Sequence, residues 1–296
     1  MVVQQHRCGG GALAFCALTV AGVMAVTAGC SGGSGAGDAS GRGERLRAEA
    51  AGAGGSAETL RRAADVLAAA GSAEMRTSME TSAGGTRVTI RGRGAYDFRR
   101  QLGRVTVVLP KDAAGEEGHR PITELLAPGA LYMKNRGAGV PDEKWVRVDT
   151  TALEDGNLVT GGVTDPMAAA ELLRSARDVT YVGETELAGV TVHHYRGTAH
   201  LGRAAGGASA RSRGALAAAA KGFSADAVPF DAYLDEDGRL RKVRHRFSFA
   251  SDGPAVEVVS TMLLYGFGVP VAVRLPAGGD IYTGLIQQGR TGEGGR

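Results

Sequence analysis

Cysteine is scarce in this chain: Cys8, Cys16 and Cys30 are the only three among 296 residues, and none lies beyond position 30. The rest of the chain has no disulfide to staple it, so its stability must come from a packed core. Tryptophan occurs once, as Trp145, and aromatic residues make up only 5% of the chain. An excess of one charge is missing too: 34 Lys and Arg against 31 Asp and Glu leave a net +3. That balance gives no electrostatic case for nucleic acid, which calls for a clustered basic face. No Gly-x-Ser-x-Gly elbow, Walker loop or dinucleotide fingerprint occurs in a strand–turn–helix setting. The histidines lack metal-ligand spacing. His193 and His194 are adjacent on a predicted strand and point to opposite faces, while His200 and His245 have no partner at a recognisable interval. A solvated surface role is expected for all of them. Asp235-Glu236-Asp237-Gly238 lacks the ligand spacing of a calcium loop and reads as a charged hairpin turn. Gly92-Arg93-Gly94 reads as a connection between strands. Arg99-Arg100 and Arg239-Leu240-Arg241-Lys242 read as solvated basic faces able to meet anionic headgroups. No enzyme, cofactor or metal follows from these residues.

What is present begins at the N-terminus. Arg7 precedes an uncharged, largely apolar run from Gly9 to Gly29, which ends in Thr27-Ala28-Gly29-Cys30. A charged start, an apolar middle and small residues before a cut describe a secretory signal peptide over residues 1–29. Ala28-Gly29 before a cysteine resembles the bacterial lipobox, with Thr27 where Leu is usual. Cleavage between Gly29 and Cys30 would leave Cys30 as the only cysteine, acylated by diacylglycerol and palmitate. A retained span is the other reading of the run, which approaches the ~20 apolar residues needed to cross a bilayer but is rich in Ala and Gly. Either way the folded part lies outside the cytoplasm, on the outer face of the cell membrane. Residues 30–55 are small, polar and Gly-rich, as in a flexible tether, and residues 284–296 lose periodicity and read as a disordered tail.

Between them, residues 56–283 form one domain. Ser56 is placed to cap a helix with Leu60, Ala63, Ala64 and Leu67 on one face and Gly71 at its end. The period then changes to two. Met75, Thr77, Met79 and Thr81 share a strand face, Gly84-Gly85 turns, and Val88 and Ile90 continue on a second strand. Val105, Val107 and Leu109 alternate with polar residues up to Pro110. Leu131 and Met133 share a face, and Trp145, Arg147 and Asp149 alternate with Val146 and Val148. Asp165-Pro166 starts a helix, with Asp as cap and Pro in the first turn. Strands are predicted over 179–187 and 191–200, a mobile loop over 201–214 and a short helix over 215–221. Closing strands follow over 228–234, 240–250 and 256–265, with a last one over 269–275 stopped by Pro276. The class is α+β: a large curved antiparallel sheet, or half-barrel, packed on a few helices.

Three clusters carry a family resemblance. The first is Asp165-Pro166 with Tyr181-Val182-Gly183-Glu184 and the run from Gly189 to Tyr195; the second is Tyr233 to Leu240; the third is Tyr265 to Val271 with Leu275-Pro276. With the lipobox and Trp145 to Asp149, they resemble the LppX/LprG-type lipoproteins of actinobacterial cell envelopes. That resemblance implies a half-barrel similar to the LolA and LolB carriers, enclosing a hydrophobic cavity for lipid or glycolipid. It further implies anchorage to the cytoplasmic membrane and handover of lipid, with a membrane exporter as the expected source. Candidate lining residues are Met75, Met79, Val105, Val107, Leu109, Leu131, Met133, Trp145 and Met167, because flexible thioethers adapt to varied apolar ligands. The same side chains would serve as ordinary core packing, and sequence leaves open whether the face is filled or open. A second reading makes the fold a protein-interaction or envelope-sensing module.

Overall fold

A computed structural model describes residues 55–83, 85–110, 120–137, 139–249 and 256–284. The signal segment, Gly29, Cys30, nearly all of the 30–55 segment and the tail beyond Gly284 lie outside the described residues.

Residues 55–61 are helical, and a turn at Arg62 leads into α1, Ala63–Ala70. Leu60, Ala63, Ala64 and Leu67 are all fully buried, as their spacing predicted. Gly71 caps α1 at φ 86°, a left-handed value glycine adopts at no steric cost. Ser56 does not cap this helix, since residue 55 is already helical and Thr59 donates its hydroxyl back to the Gly55 carbonyl at 3.0 Å.

Eleven strands follow: β1 Ser72–Ala83, β2 Thr86–Asp97, β3 Leu102–Val108, β4 Ile122–Ala127, β5 Ala130–Lys134, β6 Val146–Asp149, β7 Arg177–Leu187, β8 Val190–His200, β9 Ala227–Leu234, β10 Leu240–Phe249 and β11 Val256–Tyr265. They form a single sheet in the order β6-β5-β4-β3-β2-β1-β11-β10-β9-β8-β7. Every neighbouring pair of strands is antiparallel. The sheet is open, with β6 and β7 at its edges. Local hairpins build each half, and the one long-range closure is β1 on β11, which brings the two halves side by side. The helices α2 Pro166–Leu172, α3 Leu201–Gly207 and α4 Ala210–Gly222 complete the domain with a 3-10 turn, Leu173–Ser175.

The register sorts residues into cross-strand rows on the covered face. One runs Leu264, Met75, Gly94, Val105, Glu124, Met133, Val146. The next runs Ala232, Val243, Met262, Thr77, Gly92, Val107, Ile122. A third runs Phe230, His245, Ser260, Met79, Ile90. Gly92 and Gly94 thus lie inside β2, not between strands. A Cβ on Gly94 would come within 1.9 Å of the Arg104 carbonyl oxygen, and one on Gly92 within 2.6 Å of the Thr77 hydroxyl. These glycines let β3 and the covering residue Val163 approach the sheet closely.

Asp165 starts α2 as expected. Its Oδ1 accepts from the amides of Met167 at 2.8 Å and Ala168 at 3.0 Å. Its Oδ2 accepts from the buried Tyr96 hydroxyl at 2.7 Å, which ties the helix to the sheet. Burial pushes the Asp165 carboxyl up despite these bonds, and burial together with the carboxylate pushes Tyr96 well above the usual phenol range. Asp165→Ala is expected to cost roughly 2–4 kcal/mol, because it removes a cap and orphans a buried hydroxyl. Asp165→Asn keeps both bonds to the helix amides and should cost at most about 1 kcal/mol in thermal denaturation.

Two further sequence expectations fail here. Residues 201–214 are not a mobile loop: they form α3 and the first turn of α4, and Leu201, Ala204, Ala205, Ala208 and Ser212 are buried. Alanine and arginine favour helix strongly enough to outweigh the interspersed glycines. Residues 269–275 are not a strand. Pro270 and Pro276 bring no amide donor, and β1 is already paired on both edges, so Ser72 meets this segment through its side chain, donating to the Val269 carbonyl at 2.6 Å.

Candidate functional site

The candidate site is the covered face of the sheet and the layer lying on it. Asp155 organises the stretch before α2, its carboxylate accepting from the amides of Asn157, Val159 and Thr160 at 3.0, 2.8 and 2.7 Å. Thr164 bridges to the sheet, its hydroxyl 2.7 Å from that of Ser260 on β11. Arg174 pins the helical layer together. It pairs with the buried Glu171 of α2 and reaches Asp65 of α1 at 2.6 and 3.0 Å. These bonds hold the Asp65 carboxyl below its ordinary value and Arg174 above its own. Glu171 also accepts from the Ser209 amide between α3 and α4 at 3.3 Å.

The lining residues expected from sequence fall mostly together. Met75, Met79, Val105, Val107, Leu131, Met133 and Met167 are all buried in one apolar cluster, and Leu109 packs half-buried against it. Trp145 does not join them. It is half-buried on the other face of the edge strand, with the Lys134 ammonium 5.6 Å from its ring centre and its backbone bridged to Ile281. The alternation that buries Val146 turns the preceding side chain outward.

Among the described residues, the protein's own side chains pack over the covered face and bury it. The cavity that touches it between α4 and the β4–β5 hairpin has a volume of only about 40 Å³, lined by Tyr96, Leu126, Asp165 and Arg211 among others. Among the described residues no cluster of His, Cys, Asp and Glu is placed to hold a metal ion, and no helix is long and apolar enough to cross a membrane.

Sequence reasoning missed the polar groups within this apolar face. Glu124 is 0% exposed between Val105 and Met133, and neither carboxyl oxygen has a hydrogen-bond partner. Burial raises its carboxyl to about 8, with Arg136 opposing weakly. The Thr77 hydroxyl and His245 Nε2 are likewise buried and unpartnered. His245 is not the solvated residue expected: it sits beside Phe230 and Phe247, and burial lowers it to about 4. One signal was available, since Ile122-x-Glu124-x-Leu126 and Val243-x-His245-x-Phe247 put both groups in an apolar register. Among the described residues the other three histidines are partnered by carboxylates: His194 by Asp231 at 2.9 Å, His200 by Asp226 at 3.1 Å and His193 by Glu184 at 3.6 Å. Arg239 of the basic run is engaged as well, with Asp235 at 2.9 Å and Asp237 at 2.8 Å. Its partners belong to the hairpin turn read from the sequence.

No protein-family model and no curated protein matches the chain. Solved structures do. Lipoprotein LppX of Mycobacterium tuberculosis is 11% identical, with 74% of this chain and 97% of that one covered at a TM-score of 0.44. LprF from Mycobacterium bovis is 14% identical, covering 75% and 97% at 0.41. A LolA superfamily protein from Nitrosomonas europaea is 12% identical, covering 72% and 94% at 0.33. At these values the likeness concerns the course of the chain alone, and the chemistry of the site rests on its own residues.

Proposed function

We propose that this chain is an extracytoplasmic lipoprotein, held to the cell membrane through diacylglycerol on Cys30, that binds and carries lipid or glycolipid without altering it. The observation that supports this most is the make-up of the covered face. Met75, Met79, Met133, Met167 and Met262 are buried there, around the unpartnered polar groups of Glu124, Thr77 and His245. A core selected only for stability pairs its buried polar groups, because each orphan costs about 1–3 kcal/mol. Unbranched thioethers repack readily around varied apolar shapes. A face with both properties suits a site whose cover moves away to admit acyl chains, with the orphaned groups meeting hydroxyl or ester oxygens of the ligand. The sequence clusters that resemble the LppX/LprG-type lipoproteins support the same reading. No nucleophile–base pair was found in the sequence to suggest a hydrolase.

Lipid uptake tests the proposal: protein incubated with vesicles, separated from them and examined by native mass spectrometry should carry phospholipid or glycolipid. Met133→Asp puts an unpaired carboxylate among acyl chains and should reduce loading at least tenfold. Val182→Asp, at an exposed site on β7, should leave loading unchanged. Circular dichroism of both variants separates lost binding from lost folding.

A further inference from the structure

The face of the sheet turned away from the helices carries a second feature. Arg76 on β1 stands directly across from Arg93 on β2, and Arg93 directly across from Thr106 on β3. Arg91 lies two residues along β2 on the same face. All three arginines are exposed, and among the described residues none has a carboxylate within 4 Å. Glu74 and Glu80 share this face of β1 without pairing with them. Like charges directly opposite one another destabilise a sheet. Elsewhere in this chain arginines stand beside acids, as Arg196 does beside Asp231 and Arg239 beside Asp235. Here the cations stand together.

They also line a cavity. Arg76, Arg91 and Arg93 border a groove of about 610 Å³ whose other walls include Val108, Leu109 and Tyr265. That volume lies within the range of small-molecule sites. Arg76 and Tyr265 are shared with an adjoining cavity of about 310 Å³ whose walls include Leu187, Ala188, Leu263 and Arg241. The Arg76 guanidinium lies 5.3 Å from the Tyr265 ring centre, at the junction of the two. Three arginines and Thr106 thus border one concavity, with Val108 of β3 beside Arg91 and with Tyr265 and Leu263 of β11 beside Arg76.

We propose that this groove binds a phosphate-bearing amphiphile: the phosphate is held by Arg76, Arg91 and Arg93, and the apolar portion lies against Tyr265, Leu263 and Leu187. Guanidinium forks match phosphate oxygens in geometry as well as charge, and the bound anion relieves the repulsion between Arg76 and Arg93. The site is on the opposite face from the methionine-lined one, so it stands or falls separately from the lipid-carrying reading.

Isothermal titration of the full chain in an uncharged detergent tests it, with three probes: short-chain dihexanoylphosphatidylglycerol, inorganic phosphate and an uncharged alkyl glucoside. The short-chain phospholipid should bind saturably, at least tenfold more tightly than inorganic phosphate, and more weakly as salt is added. The alkyl glucoside should not bind. Arg76→Gln with Arg93→Gln should weaken the phospholipid at least tenfold. Arg76→Lys with Arg93→Lys should fall between, which separates lost phosphate contacts from a disturbed sheet. Equal affinity for phospholipid and inorganic phosphate would contradict the amphiphile and leave a plain anion site. Unchanged phospholipid binding in the glutamine pair, or none in the parent chain, would overturn the proposal altogether.

Discussion

Replacing Cys30 by serine is expected to move the protein from the membrane fraction to the soluble one. Ala28-Gly29 precede Cys30, no other cysteine follows it, and residues 31–55 are small and polar. One acyl chain gives only marginal, reversible binding, and each buried methylene adds about 0.8 kcal/mol, so a stable hold takes the two chains of a diacylglycerol. Serine offers no thiol for that transfer. Fractionation after cell breakage reads the result. Wild-type retention of the serine variant would mean that the Gly9–Gly29 run stays in the membrane as a span and that Cys30 is not the anchor.

The largest expected change in stability comes from Glu124→Gln, and it depends on pH. The carboxyl ionises near 4.5 in an unfolded chain and near 8 in the fold. Below 4.5 it is protonated in both states and contributes no pH dependence. Between 4.5 and 8 the folded state must hold a proton that the unfolded state releases. Stability therefore falls as pH rises, by about 1.4 kcal/mol per unit, and the loss stops above 8. His245 runs the other way. Lowered from 6.5 to about 4 by burial, it costs stability as pH falls through that window. The two slopes cancel between about 4.5 and 6.5, and the Glu124 slope alone remains from 6.5 to 8. Glutamine keeps the shape of Glu124 without the ionisation. Glu124→Gln should match the parent near pH 4.5 and exceed it at pH 8 by several kcal/mol, on the order of 10 °C in melting temperature. Parallel melting curves for the two proteins across that range would show that Glu124 is paired or hydrated in solution.

The parts of the fold that follow local chemistry were legible in the sequence. Asp165-Pro166 starts a helix because a cap and a fixed φ act within one turn, and Gly71 ends one for a similar local reason. Alternation placed Met75, Met79, Val105 and Val107 on one face, and the register confirms it. Other parts needed the whole molecule. β4 escaped notice because Leu125 and Leu126 are both buried, which breaks the alternation. The stretch from Leu201 to Gly214 has no long apolar stripe; beyond Leu201 it buries alanines and a serine instead. The segment 269–275 alternates like a strand, but β1, whose Ser72 it meets, is already paired on both sides by β2 and β11. Glu124 and His245 sit in apolar registers where their charge drew attention away from their position.

The most direct test of lipid carriage is the fate of a defined lipid. Delipidated protein is mixed with vesicles of phosphatidylglycerol and phosphatidylinositol, recovered free of them, and weighed intact and after extraction. A carrier returns with lipid bound, in an amount that Met133→Asp reduces and the Arg76→Gln, Arg93→Gln pair leaves on the covered face, and the extracted lipid has its original mass. Protein that returns empty, or that releases lipid shortened or cleaved, would contradict carriage without chemical change.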